Sequence, residues 1–111
     1  MDRVAFYQET VKTILAEVVS WLPEEPTIRT EVILDDNHGH YEISQIGWDD
    51  YRRVHGSLMH VDIRDEKIWV EHNGTDIDIV QQMLEAGIPK ERIVLGFQPP
   101  ELRRRTDFAV A

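Results

Sequence analysis

The chain has 111 residues, 41% of them hydrophobic and 30% charged, the proportions of one soluble globular domain with a single core. It contains no cysteine, which excludes disulfides, a thiolate nucleophile and cysteine-based zinc sites. Twelve Lys and Arg against twenty-one Asp and Glu leave a net charge of −9, a balance that repels phosphate backbones and disfavours direct DNA binding. The first residues, with Asp2 and Arg3, lack an apolar signal core. Apolar runs stay far below the ~20 residues of a membrane span, so a cytoplasmic location is expected.

Val4, Tyr7, Val11, Ile14 and Val18 recur at spacings of three and four, and Leu15 and Leu22 widen the stripe. Gln8, Glu9, Lys12, Thr13 and Glu17 occupy the other side. This predicts an amphipathic helix resting on a core. It should end near Trp21, because Pro23 and Pro26 bracket Glu24-Glu25 in a stiff acidic connector.

Four strands are expected next. Ile28, Thr30, Val32 and Leu34 alternate with Arg29, Glu31, Ile33 and Asp35. Asp36-Asn37-His38-Gly39 turns into a strand over 40–48, and Asp49-Asp50 turns again into a long strand over 51–63. Arg64-Asp65-Glu66 leads tightly into the strand Lys67-Ile68-Trp69-Val70-Glu71-His72. Short connections of this kind make an antiparallel meander. Val54 has the opposite parity to Met59, Val61 and Ile63, so one extra residue must be absorbed between them, and Gly56 is the natural bulge position.

Asn73-Gly74 is a turn pair, Thr75 or Asp76 can cap the following helix, and Asp78 stands like the acidic partner of a capping box. That helix is expected to run to about Ala86. Gly87 can then take a left-handed exit, Ile88 can fold back on Met83, and Pro89 blocks continuation. Ile93-Val94-Leu95-Gly96-Phe97 follows as a short apolar strand, which makes a βαβ crossover. A short helical turn is expected over 103–106. The prediction is a single α+β domain over residues 1–111. It has two layers, a mostly antiparallel five-stranded sheet with two helices on one face, and a βαβ crossover near the C-terminus.

H-V-D-I at 60–63, K-I-W-V at 67–70, G-I-P-K at 87–90, I-V-L-G-F at 93–97 and T-D-F-A-V-A at 106–111 resemble the XisI-like proteins. That family is named for the excision controlling factor of the fdxN element in cyanobacteria. The resemblance runs from Tyr7 to Ala111. It departs at Asn73-Gly74-Thr75-Asp76, where Asp-Gly-Thr-Glu is expected, and at Glu66, where Gly is common. The resemblance implies a regulatory role in excision of a DNA element by a site-specific recombinase. It also implies the companion controlling factor XisH or that recombinase as partner. It carries over no catalytic residue and no cofactor.

With both helices on one face, the other face is expected to carry Ile33, Ile46, Trp48, Arg53, His55, Leu58, His60, Asp62, Trp69 and Glu71. Aliphatics and tryptophans among charges suit a partner protein or a second copy of the chain. The competing reading is that the C-terminal segment folds over this face and makes it core. Trp48, Arg53, Trp69 and Arg104 are the candidate partner-binding residues, because Trp and Arg dominate interface hot spots.

Three constellations suggest chemistry instead. Asp35, Asp36, His38 and His40 could hold zinc or manganese at one hairpin tip, though the same residues also suit a solvated turn. His60-x-Asp62, with His55 and Glu71 nearby, could be an acid–base pair or a polar interface network. Asp65-Glu66-Lys67 with Asp49 or Asp50 resembles the carboxylates of a metal-dependent nuclease or hydrolase, but in a turn rather than a buried strand. Arg103-Arg104-Arg105 could grip DNA phosphate or an acidic surface, or simply face solvent. The leading expectation is a non-enzymatic accessory protein with no catalytic set and no metal. The metal-dependent enzyme and the direct DNA-binding factor are the alternatives.

Overall fold

The N-terminal stripe forms the expected helix: in the computed structural model, which describes residues 2–111, α1 runs from Arg3 to Trp21. Asp2 Oδ1 accepts the Ala5 N–H at 2.7 Å and so caps the helix start. Tyr7, Val11, Ile14, Leu15 and Val18 face the core. Thr10 is buried among them, and its hydroxyl donates to the Phe6 carbonyl at 2.8 Å, so no polar atom there is left unpaired.

Strands β1 (Ile28–Asp35), β2 (His40–Asp49), β3 (Arg52–Arg64) and β4 (Lys67–Asn73) form the antiparallel meander. Helix α2 (Ile79–Glu85) carries the chain over to β5 (Ile93–Leu95), which pairs parallel to β4. Sheet order is β1-β2-β3-β4-β5, as the crossover predicts. Helices α1 and α2 share one face with the core residues Tyr41, Ile43, Met59, Val61, Ile68, Val70, Met83 and Ile93. Truncating a fully buried member such as Ile43 or Met59 to Ala would cost about 2–5 kcal/mol.

The parity change in β3 is real, but its position differs from the sequence expectation. Ile43 pairs with Met59 and Ser44 with Ser57, so Leu58 is the inserted residue. Gly56 sits in regular pairing with Gln45. Leu58 packs against the core cluster, and its carbonyl accepts the Gly74 N–H at 2.8 Å. Those two long-range contacts set the bulge there in place of the locally flexible glycine. A second bulge was not anticipated. His60 pairs with His72 and Val61 with Val70, which leaves Glu71 unpaired in β4 and puts His72 in the ladder.

Helix α2 begins later than expected, with Asp78 as its cap accepting the Gln81 N–H at 3.0 Å. Asn73 and Thr75 instead build the turn before it: Asn73 Oδ1 accepts from the Thr75 N–H and hydroxyl, and Thr75 Oγ1 accepts from Ile77 N–H. The helix exit is as predicted. Gly87 has φ +103°, Gly87 N–H bonds the Leu84 carbonyl and Ile88 N–H the Met83 carbonyl, both at 3.0 Å, which is a Schellman ending.

After β5 the chain makes a short helix, α3 (Pro100–Arg103), earlier than the expected turn at 103–106. The tail then returns beside the outer edge of β5, where Ala109 N–H bonds the Ile93 carbonyl at 2.9 Å. Lys67 Nζ donates to the Ala111 carbonyl.

Candidate functional site

The face of the sheet away from the helices is built in cross-strand rows. One end carries Trp48 opposite Arg53, then Ile46 opposite His55. The other end carries Glu42, His60 and His72 in one row and His40, Asp62 and Trp69 in the next. Leu58 leaves this face for the core because it is the bulge residue, and Glu71 leaves the ladder for the same reason.

The four candidate contact residues separate. Trp48 and Arg53 come together, with the guanidinium carbon 5.1 Å from the indole centroid and Arg53 Nη1 donating to the Gly47 carbonyl at 3.3 Å. Trp48 remains 49% exposed, and Tyr51, at the tip of the adjoining turn, is 99% exposed. Trp69 is more covered. Arg64 stands 3.8 Å and Arg103 5.4 Å from its ring. Arg103 also donates to the Gln98 and Val110 carbonyls at 2.9 and 3.2 Å, so it fastens the tail over this end of the face. Cover by the chain's own C-terminal segment is therefore realised at Trp69. Arg104 is exposed just beyond α3 and meets neither tryptophan. Sequence reasoning missed Arg64 and Arg103. Arg64 was detectable, since it shares parity with Asp62 two residues before it.

The nuclease-like carboxylates do not converge. Asp49 and Asp50 lie at one end of thirteen-residue β3 and Asp65 at the other, on the order of 40 Å apart along the strand. Asp49 pairs with Arg52 at 3.2 Å. Asp65 and Glu66 occupy a two-residue turn with φ +52° and +58°.

The hairpin-tip ligands also diverge. Asp35 pairs with His38 at 2.8 Å. Asp36 turns toward the helical side, accepting from Lys12 Nζ and from the Tyr41 hydroxyl, each at 2.8 Å. The Lys12 and then the Tyr41 hydrogen bonds hold the Asp36 carboxyl below its ordinary range. Burial first, and the bond to Asp36 second, push the Tyr41 phenol well upward.

His40 goes elsewhere, and this is the main finding at the far face. His40 Nδ1 lies 2.8 Å and His60 Nε2 2.7 Å from the same oxygen, Asp62 Oδ1. The two rings meet edge-on, at 67° and 6.3 Å between centroids. Burial drives the Asp62 carboxyl up, but the bonds from His40 and His60 outweigh it and hold the group below its ordinary value. The bond to Asp62 raises His40. The His60–Asp62 pair was expected from sequence; its link to His40 was not.

Among the described residues, no helix is long and apolar enough to cross a membrane. A family model described as XisI protein matches residues 1–110. Two solved structures are similar over almost the full length. One is a XisI-like protein from Anabaena variabilis ATCC 29413, 36% identical with a TM-score of 0.92, covering 97% of this chain and 99% of that one. The other is the fdxN element excision controlling factor XisI from the same organism, 34% identical with a TM-score of 0.90, covering 99% of this chain and 100% of that one. No match to a curated protein was found.

Proposed function

The chain belongs to the XisI family, and on that footing we propose that it is a non-enzymatic controlling factor of DNA-element excision that acts through protein contacts. The contact surface is the Trp48–Arg53 end of the far sheet face. One observation carries this reading: Trp48 stays half exposed under the Arg53 guanidinium, while the tail that covers Trp69 does not extend to it. An aromatic and an arginine side by side at an open position are the pair most often found at binding hot spots.

The partner is a protein with a basic surface, since a chain of net charge −9 attracts cationic surfaces and repels duplex DNA. The companion factor XisH and the recombinase are the two partners the family resemblance suggests, and the cytoplasm is the compartment we propose for their meeting.

Trp48→Asp is the test, because Trp48 is exposed and the substitution leaves the core intact. The variant should keep the parent's circular dichroism and melting temperature yet lose retention on immobilised XisH or recombinase. Should it fold normally and keep every association of the parent in pull-down and light scattering, this surface is not the contact site.

A further inference from the structure

We propose that His40, His60 and Asp62 form a binding site for one divalent transition-metal ion of the zinc class. The three residues come from two adjacent strands, and a ligand atom from each lies within 4.8 Å of the other two. His40 is the cross-strand partner of Asp62, and His60 precedes Asp62 by two, so all three side chains leave the sheet on the same face. Rigid strands hold their Cβ atoms, which places the donors before any ion arrives.

The donor set selects the class of ion. Two imidazole nitrogens and one carboxylate suit Zn²⁺, Co²⁺, Ni²⁺ or Fe²⁺, whereas Mg²⁺ and Ca²⁺ prefer oxygen ligands throughout. Three protein ligands leave a coordination position for water. The His40 side chain is 58% exposed and that of Asp62 only 10%, so the site has a buried anionic floor and an open rim. Among the described residues, Asp62 hydrogen-bonds no lysine or arginine, only the two histidines. Its charge therefore remains available to a cation. The register adds Asp35 opposite His40 and Glu42 opposite His60, so the surrounding field is negative.

Ligands of a tetrahedral ion with bonds of ~2.0–2.2 Å stand roughly 3.3–3.5 Å apart. The nitrogens now 2.7 and 2.8 Å from Asp62 Oδ1 must open by about half an ångström to admit it. Side-chain rotation of the exposed His40 and the partly exposed His60 supplies that opening. His72, the ladder partner of His60, is the nearest further imidazole in the register. The site carries no assigned reaction, and it stands or falls independently of the protein contacts proposed above.

Calorimetric titration of the chelator-stripped protein with Zn²⁺, paired with Co²⁺ absorption, tests it. The expected result is one equivalent bound at micromolar affinity or tighter, with the visible bands of a low-symmetry nitrogen–oxygen cobalt site. Loss of an outer partner to a metal ligand already weakens binding by about 10–100-fold, so His40→Ala and His60→Ala should each lose at least that much. His40→Gln, which keeps a donor for Asp62 but not the imidazole, should behave like His40→Ala, separating ligation from fold support. His38→Ala and His55→Ala should leave affinity unchanged. Absence of stoichiometric binding, or binding undiminished in well-folded His40→Gln and His60→Ala proteins, overturns the assignment.

Discussion

The guanidinium of Arg103 stands 5.4 Å from the ring centroid of Trp69 and bonds two carbonyls of the C-terminal segment. Its neighbour Arg104 does neither, although the two adjoin in a run of three arginines. Arg103→Ala should destabilise the fold by about 1–2 kcal/mol in urea unfolding, the sum of a partly covered cation–π contact and two charge-assisted hydrogen bonds. Arg104→Ala should stay within about 0.5 kcal/mol of the parent. Equal effects of the two would mean that the tail is not fastened through Arg103.

Glu66 offers a gain in stability. It lies at φ +58° in the β3–β4 turn, beside Asp65 at +52°, and Asp-Gly is the pair such turns favour. Its ion pair with Arg3 is long, at 3.7 Å, and exposed on both sides, so it contributes little. Glu66→Gly relieves the left-handed strain and should raise unfolding free energy by about 0.5–1 kcal/mol, read by denaturant midpoint at constant slope. A lower midpoint would show that the glutamate is not strained there.

The histidine–aspartate cluster should shape stability against pH from both sides. The bond to Asp62 raises His40 above 6.5, and the Asp35 and Glu42 charges add to that against a small burial effect. A raised base contributes fully below its unfolded value and loses that contribution as pH rises through its folded value. Asp62, lowered below 3.8 by His40 and His60 in spite of burial, contributes above its unfolded value and loses it as pH falls through the folded one. Metal-free protein should therefore melt highest between 3.8 and 6.5 and decline on either side. His40→Gln should flatten the decline above neutrality. The acid side should persist, since Asp36, lowered by Lys12 and then Tyr41, still protonates there. An unchanged alkaline decline in His40→Gln would remove the pair as its source.

Elements defined by neighbouring residues were legible in the sequence. The α1 stripe, the four meander strands and the Gly87-Ile88-Pro89 exit each depend on contacts within a few positions. The βαβ crossover followed from length and order alone. What escaped was fixed at long range. Leu58 bulges because the core accepts its side chain and Gly74 donates to its carbonyl, neither of which is readable in the local string.

An extra residue in β3 was expected, and at Gly56 or Leu58 alike it carries Asp62 to the far face; what stayed hidden was the part played by His40, which the sequence groups with Asp35, Asp36 and His38 at the hairpin tip. Counted from the Asp49–Arg52 pair without an extra residue, the ladder would set Val61 opposite His40. The bulge advances the register by one and brings Asp62 there instead. In the same way Arg103 was passed over for Arg104, because only the position of α3 decides which arginine of the run turns inward over Trp69.

The tail's return beside Ile93 has a consequence for how copies of this sheet could join. The β5 border carries the returning tail, bridged at Ala109, while β1 keeps an unpaired outer edge with Val32, Ile33 and Leu34 all exposed. Strand addition between copies is therefore easiest at β1, where two molecules meeting edge to edge about a twofold axis would use up both open edges.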